Sequence, residues 1–134
     1  MPTNALVIFV VDDDASVRKA IHRLLKSLLL PVRLFASAEE FLASTRKGAR
    51  GCLLLDLRLP GMSGLQLLEH LARDQWKLPI VVITAHDDDP TRDAALRLGA
   101  MTVIHKPFDR KEFLTSVHAA VAEASCRKLK NSFG

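Results

Sequence analysis

The 134-residue chain has no tyrosine, one tryptophan, two cysteines and no apolar run near the roughly eighteen residues that would suggest a membrane span. Cys52 lies in a hydrophobic stretch and Cys126 near the C-terminus. That spacing fits neither a CxxC metal site nor a disulfide scaffold, so reduced thiols in a cytoplasmic protein are expected. The first apolar run has no basic segment before it and is cut short by three aspartates, which argues against a signal peptide. The net charge of +4 is modest and the bases are spread along the chain. Without a dense basic patch, zinc-finger spacing or a helix-turn-helix pair, direct DNA binding by this chain is not expected.

About half of the residues are hydrophobic, at 49%. One domain with a full core is therefore expected. Four apolar stretches each run into a polar residue. Leu6–Val11 leads to Asp12, Asp13 and Asp14. Cys52–Leu55 leads to Asp56, Ile80–Ile83 to Thr84, and Met101–His105 to Lys106 and Pro107. Between them lie helical patterns. The first covers about 16–29, with Val17, Ile21, Leu24, Leu25 and Leu28 inward and Arg18, Lys19, Arg23 and Lys26 outward. After a short strand at 32–35, Ser37 and Glu40 predict a capping box for the second helix. The third helix, about 64–74, is expected to turn Leu65, Leu68, Leu71 and Ala72 inward. The fourth starts near Pro90, and the fifth after Asp109. Residues 126–134 read as a linker or disordered tail after a domain at 1–125.

Five strand–helix units predict an α/β, doubly wound, five-stranded parallel sheet; the order 2-1-3-4-5 is that of known flavodoxin-like (βα)5 folds and is not dictated by the alternation. In such sheets, ligands bind outside the carboxyl ends of the strands, at the point where strand order reverses. Asp12, Asp13 and Asp56 then meet at the switch, with Thr84 and Lys106 nearby. Three carboxylates, a hydroxyl and a lysine can hold a divalent cation and a phosphoryl group. Taken singly, each has a plainer reading as a cap, a turn residue or a surface lysine. Asp87, Asp88 and Asp89 read as a solvated loop and helix N-terminus. His22, His70 and His118 read as exposed helix residues, and Trp76 as cover for a core edge.

Jointly these residues carry a resemblance. Val10-Val11-Asp12-Asp13-Asp14, Asp56-Leu57-Arg58-Leu59-Pro60-Gly61-Met62-Ser63-Gly64, Ile83-Thr84-Ala85, Gly99-Ala100 and Lys106-Pro107-Phe108 occur in order and at strand ends. The chain resembles the receiver domain of bacterial two-component response regulators over about residues 5–124. Ser37-Ala38-Glu39-Glu40-Phe41-Leu42 further resembles the branch with a C-terminal helix-turn-helix output domain, which this sequence does not contain. The resemblance implies Asp56 as phosphoacceptor and Asp12, Asp13, Asp56 and the Arg58 backbone carbonyl as ligands of Mg²⁺, or of Mn²⁺. It implies that Thr84 and Lys106 contact the phosphoryl group and that the Lys106–Pro107 peptide is cis. Implied partners are a sensor histidine kinase, an output domain in a longer chain, and a second copy bound through helix four, strand five and helix five on phosphorylation. The implied role is that of a signalling module which assists its own phosphorylation and dephosphorylation, not of an enzyme.

One position departs from the pattern. Three residues before the lysine many receivers carry an aromatic that changes rotamer on activation; here it is Val103. Two other readings compete. The Asp-x-Asp spacing of residues 12–14 resembles that of haloacid-dehalogenase-like phosphatases, with Asp12 as nucleophile. The fold could also act as a phosphorylation-independent scaffold.

Overall fold

The computed structural model describes residues 6–85 and 88–133, with the side chains of 127–133 excepted. His86 and Asp87 lie outside the described residues. The strands are β1 (Val7–Val11), β2 (Val32–Phe35), β3 (Gly51–Leu55), β4 (Ile80–Thr84) and β5 (Thr102–His105). The helices are α1 (Ala15–Leu25), α2 (Ala38–Ser44), α3 (Gly64–Arg73), α4 (Asp89–Arg97) and α5 (Arg110–Phe133). All strands pair in parallel, in the order β2-β1-β3-β4-β5. The expected fold and strand order are those observed.

β3 and β4 are buried along their whole length, as expected for central parallel strands covered on both faces. Their side chains alternate between two cores. Phe9, Val11, Leu53, Leu55 and Val82 pack on one face with Phe41 of α2 and Leu67, Leu68 and Leu71 of α3. Ile8, Val10, Leu54, Val81 and Ile104 pack on the other with Ile21 and Leu25 of α1 and Phe113, Val117 and Ala120 of α5. Phe41 meets Phe9 and Phe35 edge-on at 5.7 and 5.5 Å. Trp76 closes that cluster, 5.8 Å from Phe41.

Several local expectations need correction. α1 stops at Leu25; Lys26–Leu28 is a 3-10 turn, and Leu29 takes a left-handed φ of 57°. The apolar spacing continues into 26–29, but Pro31 cannot donate to a helix and the chain must turn into β2. On α3 the buried positions are Gly64, Leu67, Leu68 and Leu71, whereas Ala72 is exposed and Leu65 half-buried. The stripe is one position out of phase because Gly64 sits against Leu57 at the helix start. The capping box at Ser37 is half formed: Ser37 Oγ accepts from Glu40 N at 3.1 Å, but Glu40 Oε1 accepts from Ala36 N rather than Ser37 N. A full box forms at Ser63 and Gln66. The backbone of α5 is helical to Phe133, through residues 126–133.

Candidate functional site

The site lies at the carboxyl ends of β1, β3, β4 and β5. β1 delivers Asp12 and β3 delivers Asp56. Both backbones are fixed by the sheet, since Asp56 N donates to Val11 O at 3.0 Å and Asp12 N to Phe35 O at 3.1 Å. Both acids are buried, Asp12 to 2% exposure and Asp56 to 7%. Asp13 is exposed at the mouth. One carboxylate oxygen from each of Asp12, Asp13 and Asp56 falls within 4.8 Å of the others.

Lys106 reaches into this cluster. Its Nζ donates to Asp12 Oδ2 at 2.9 Å and to Asp56 Oδ2 at 3.3 Å. The Lys106 backbone N donates to Thr84 O at 2.8 Å, which ties the ends of β4 and β5 together. The Lys106–Pro107 peptide is cis, as the resemblance implied. Thr84 is fully buried beside them. The other carboxylate oxygens are also engaged: Asp12 Oδ1 accepts from Asp14 N at 2.9 Å, and Asp56 Oδ1 from Arg58 N at 3.1 Å. Asp14 caps α1 through Ser16 N and Val17 N.

Burial and like charge act together on Asp56, against hydrogen bonding and the lysine. Burial pushes the Asp56 carboxyl above the usual carboxylate range; the Arg58 N–H and the Lys106 charge pull it down, and the Asp12 charge adds to the rise. Burial disfavours the Lys106 charge, but the Asp12 hydrogen bond and the two carboxylates outweigh it and hold Lys106 above the ordinary lysine range. The lysine thus supplies one positive charge to a three-carboxylate pocket. A divalent cation bound at these oxygens would supply two more, which is the charge balance Mg²⁺ sites have. The donor set, all oxygen and facing one point, fits a hard cation.

The structure brings together Asp12, Asp13, Asp56 and Lys106, with Thr84 at the adjoining strand end. Asp13, Leu57, Arg58, Leu59, Pro60 and Ser63 line an open cleft beside the acids. Asp88 caps α4 through Thr91 N and Asp89 lies in its first turn, as their solvated reading predicted. His22 and His118 are exposed, and His70 is half-exposed in a 3.1 Å pair with Asp74. Two residues escaped the sequence reading. Arg18, expected to face solvent, folds back so that Nη1 donates to Asp12 O at 2.7 Å. Glu39 of α2 accepts from Met62 N at 2.8 Å, across 23 residues. Neither contact has a periodic signal, because both join a side chain to a distant or irregular backbone.

The response regulator receiver domain family matches residues 8–118. The chain belongs to this family. The receiver is 41% identical to the transcriptional regulatory protein TdiR of Thauera aromatica over 119 residues, 89% of this chain and 52% of that protein. It is 44% identical to nodulation protein W of Bradyrhizobium diazoefficiens over 114 residues, 85% of this chain and 50% of that protein. The receiver therefore spans about half the length of these relatives. Among solved structures, the response regulator StyR matches with a TM-score of 0.89 at 38% identity, covering 96% of this chain and 65% of that one. FixJ-N matches with a TM-score of 0.80 at 34% identity, covering 90% and 96%. No helix among the described residues is long and apolar enough to cross a membrane.

Proposed function

We propose that this receiver accepts a phosphoryl group on Asp56 from the phosphohistidine of a sensor histidine kinase, in a Mg²⁺-dependent step. The observation that carries the reading is Lys106 Nζ bridging Asp12 and Asp56 in a pocket with a third carboxylate. A carboxylate oxygen of Asp56 forms the new P–O bond as the P–N bond breaks, and the leaving imidazole nitrogen keeps the electron pair. Lys106 is positioned to move from the carboxylates to the transferred group, and Thr84 to donate its hydroxyl to a phosphoryl oxygen. Asp12, Asp13, Asp56 and the Arg58 carbonyl would hold the cation. When bound, Mg²⁺ (or Mn²⁺) offsets charge on the phosphoryl oxygens.

Phosphorylation then shifts a pre-existing equilibrium toward an active surface on α4, β5 and α5. A homodimer through that surface, or a C-terminal helix-turn-helix output domain in a longer chain, would read the shift. With Val103 buried at the usual aromatic position, the shift runs through movement of Thr84 and a reshaping of β4 and α4 rather than an aromatic rotamer. The setting is cytoplasmic, and the module assists its own phosphorylation and dephosphorylation without acting on other substrates. The dehalogenase-like alternative needs Asp12 as nucleophile, and the family match gives it no support.

The test is incubation with a small phosphodonor and Mg²⁺, followed by mass mapping. Modification at Asp56 is expected; modification at Asp12 would support the phosphatase, and none the scaffold. In addition, a cation that binds only the folded state raises its melting temperature. Millimolar Mg²⁺ should do so for the wild type and much less for Asp13→Asn. Equal shifts would refute the metal assignment.

A further inference from the structure

The seven residues between Asp56 and Gly64 form the loop that follows the proposed phosphoacceptor, and most of its anchors are local. Arg58 N donates back to Asp56 Oδ1 at 3.1 Å, Gly64 N to Leu57 O at 2.9 Å, and Ser63 N to Gln66 Oε1 at 2.9 Å. The middle of the loop is held from elsewhere. Met62 N donates to Glu39 Oε2 at 2.8 Å, on the first turn of α2. The contact has a fitted partner. Gly61 has a φ of +74°, and a Cβ built there would lie 2.6 Å from Glu39 Oε2. Only a residue without a side chain lets the carboxylate approach this close. The N–H of Met62 holds the Glu39 carboxyl below its ordinary range, which marks the ionised form as the one bound.

Glu39 is not needed to build its own helix. Ser37 caps α2 through Glu40 N, and Glu40 returns to Ala36 N. Glu39 is itself exposed, whereas Phe41 and Ala38 supply the buried face of α2. Glu39 adds nothing to the core; besides its own first-turn N–H, its carboxylate reaches across to the loop behind the acid pocket.

We propose that Glu39 is a positioning residue for the phosphorylation site: it pins the Gly61–Met62 turn and thereby fixes the loop segment carrying Arg58. Arg58 sits between two anchors, Asp56 on one side and the Glu39-bound Met62 four residues later. With the second anchor removed, the backbone that is to face the cation samples more conformations. Ordering it on binding then weakens cation affinity. The helix α2 is thereby coupled to the acid pocket through one hydrogen bond. This inference rests on the receiver reading above.

The test compares wild type, Glu39→Ala and Glu39→Gln, with Gln keeping an acceptor oxygen but no charge. Three readouts are taken on the full chain: amide exchange at Met62, Mg²⁺ affinity by titration calorimetry, and the rate of phosphate uptake from a small phosphodonor at low and saturating Mg²⁺. For Glu39→Ala, Met62 exchange should rise and Mg²⁺ binding weaken by about fivefold, the order expected for one lost hydrogen bond. Uptake should slow at low Mg²⁺ and recover at saturation. Glu39→Gln should stay within about twofold of wild type, the smaller part of a hydrogen bond's net worth. A lowered melting temperature in Glu39→Ala with unchanged Mg²⁺ affinity would show a merely structural contact and overturn the proposal. So would Glu39→Gln as weak as Glu39→Ala, which would leave charge alone. If wild type neither binds Mg²⁺ nor takes phosphate, the receiver reading itself fails and this inference with it. A normal wild type beside a normal Glu39→Ala sinks only the role of Glu39.

Discussion

Helices α3 and α4 follow the neighbouring strands β3 and β4 and are nearly equal in length, at 10 and 9 residues, yet they are held in different ways. α3 begins with a full capping box and buries Gly64, Leu67, Leu68 and Leu71. α4 has a single side-chain cap at Asp88 and buries only Ala95, while Leu96 remains 40% exposed. The difference assigns roles. The helix after the proposed phosphoacceptor is a fixed wall, and the helix after Thr84 is the element with little to lose by moving. Segments that rearrange in signalling are drawn from the less stable parts of a fold.

The strongest way to break this contrast is truncation on both helices. Leu68→Ala should cost about 3 kcal/mol in denaturant melts, since it opens a cavity in a fully buried cluster. Leu96→Ala should stay within about 0.5 kcal/mol, as surface changes do. Similar losses in the two variants would erase the distinction. Native-state amide exchange sharpens it: α4 amides should open at a free energy about 1–2 kcal/mol below the slowest amides of α3. Equal protection would remove α4 as the mobile element.

The acid pocket at the strand ends offers a smaller effect. Asp56 is raised above the usual carboxylate range, chiefly by burial. The folded state therefore loses stability as pH rises from the ordinary carboxylate value through the raised one. Asp56→Asn abolishes that loss, and Lys106 keeps Asp12 as its partner. Denaturant melts in chelator at neutral pH should show equal or higher stability, by about 1 kcal/mol after solvent screening. Phosphodonor labelling at that position should vanish. Clear destabilisation with unchanged labelling would contradict the role of Asp56.

The smallest effect extends the comparison of packed and open regions to the two thiols. Burial pushes the Cys52 thiol up to about 12, whereas Cys126 is exposed. At pH 8 a thiol reagent should modify Cys126 in the native protein and both cysteines only in denaturant. Above pH 9 the folded state should lose stability, because folding disfavours the Cys52 thiolate. Two rapid equivalents in the native state would show that the β3 core opens readily.

Some contacts were out of reach of the sequence for a definite reason. The Glu39–Met62 bond and the Arg18–Asp12 carbonyl bond join a side chain to backbone that has no period to read. The phase of α3 depended on how closely Gly64 approaches Leu57, and the end of α1 on the turn into β2. Local propensity does not encode such approaches, because they depend on where a second element comes to rest.

What the sequence determined by itself was the alternation of strands and helices and the polar residue at each strand end, whereas the sheet order came from likeness to known folds. A buried parallel sheet demands continuous apolar strands, and its crevice lies where those strands stop. Only the tertiary structure decided that Lys106 lies 2.9 Å from Asp12 and 3.3 Å from Asp56, that Glu39 reaches the loop behind them, and that α3 buries four residues where α4 buries Ala95 alone. Those facts depend on distances between elements 23 to 94 residues apart, which packing fixes and spacing along the chain does not.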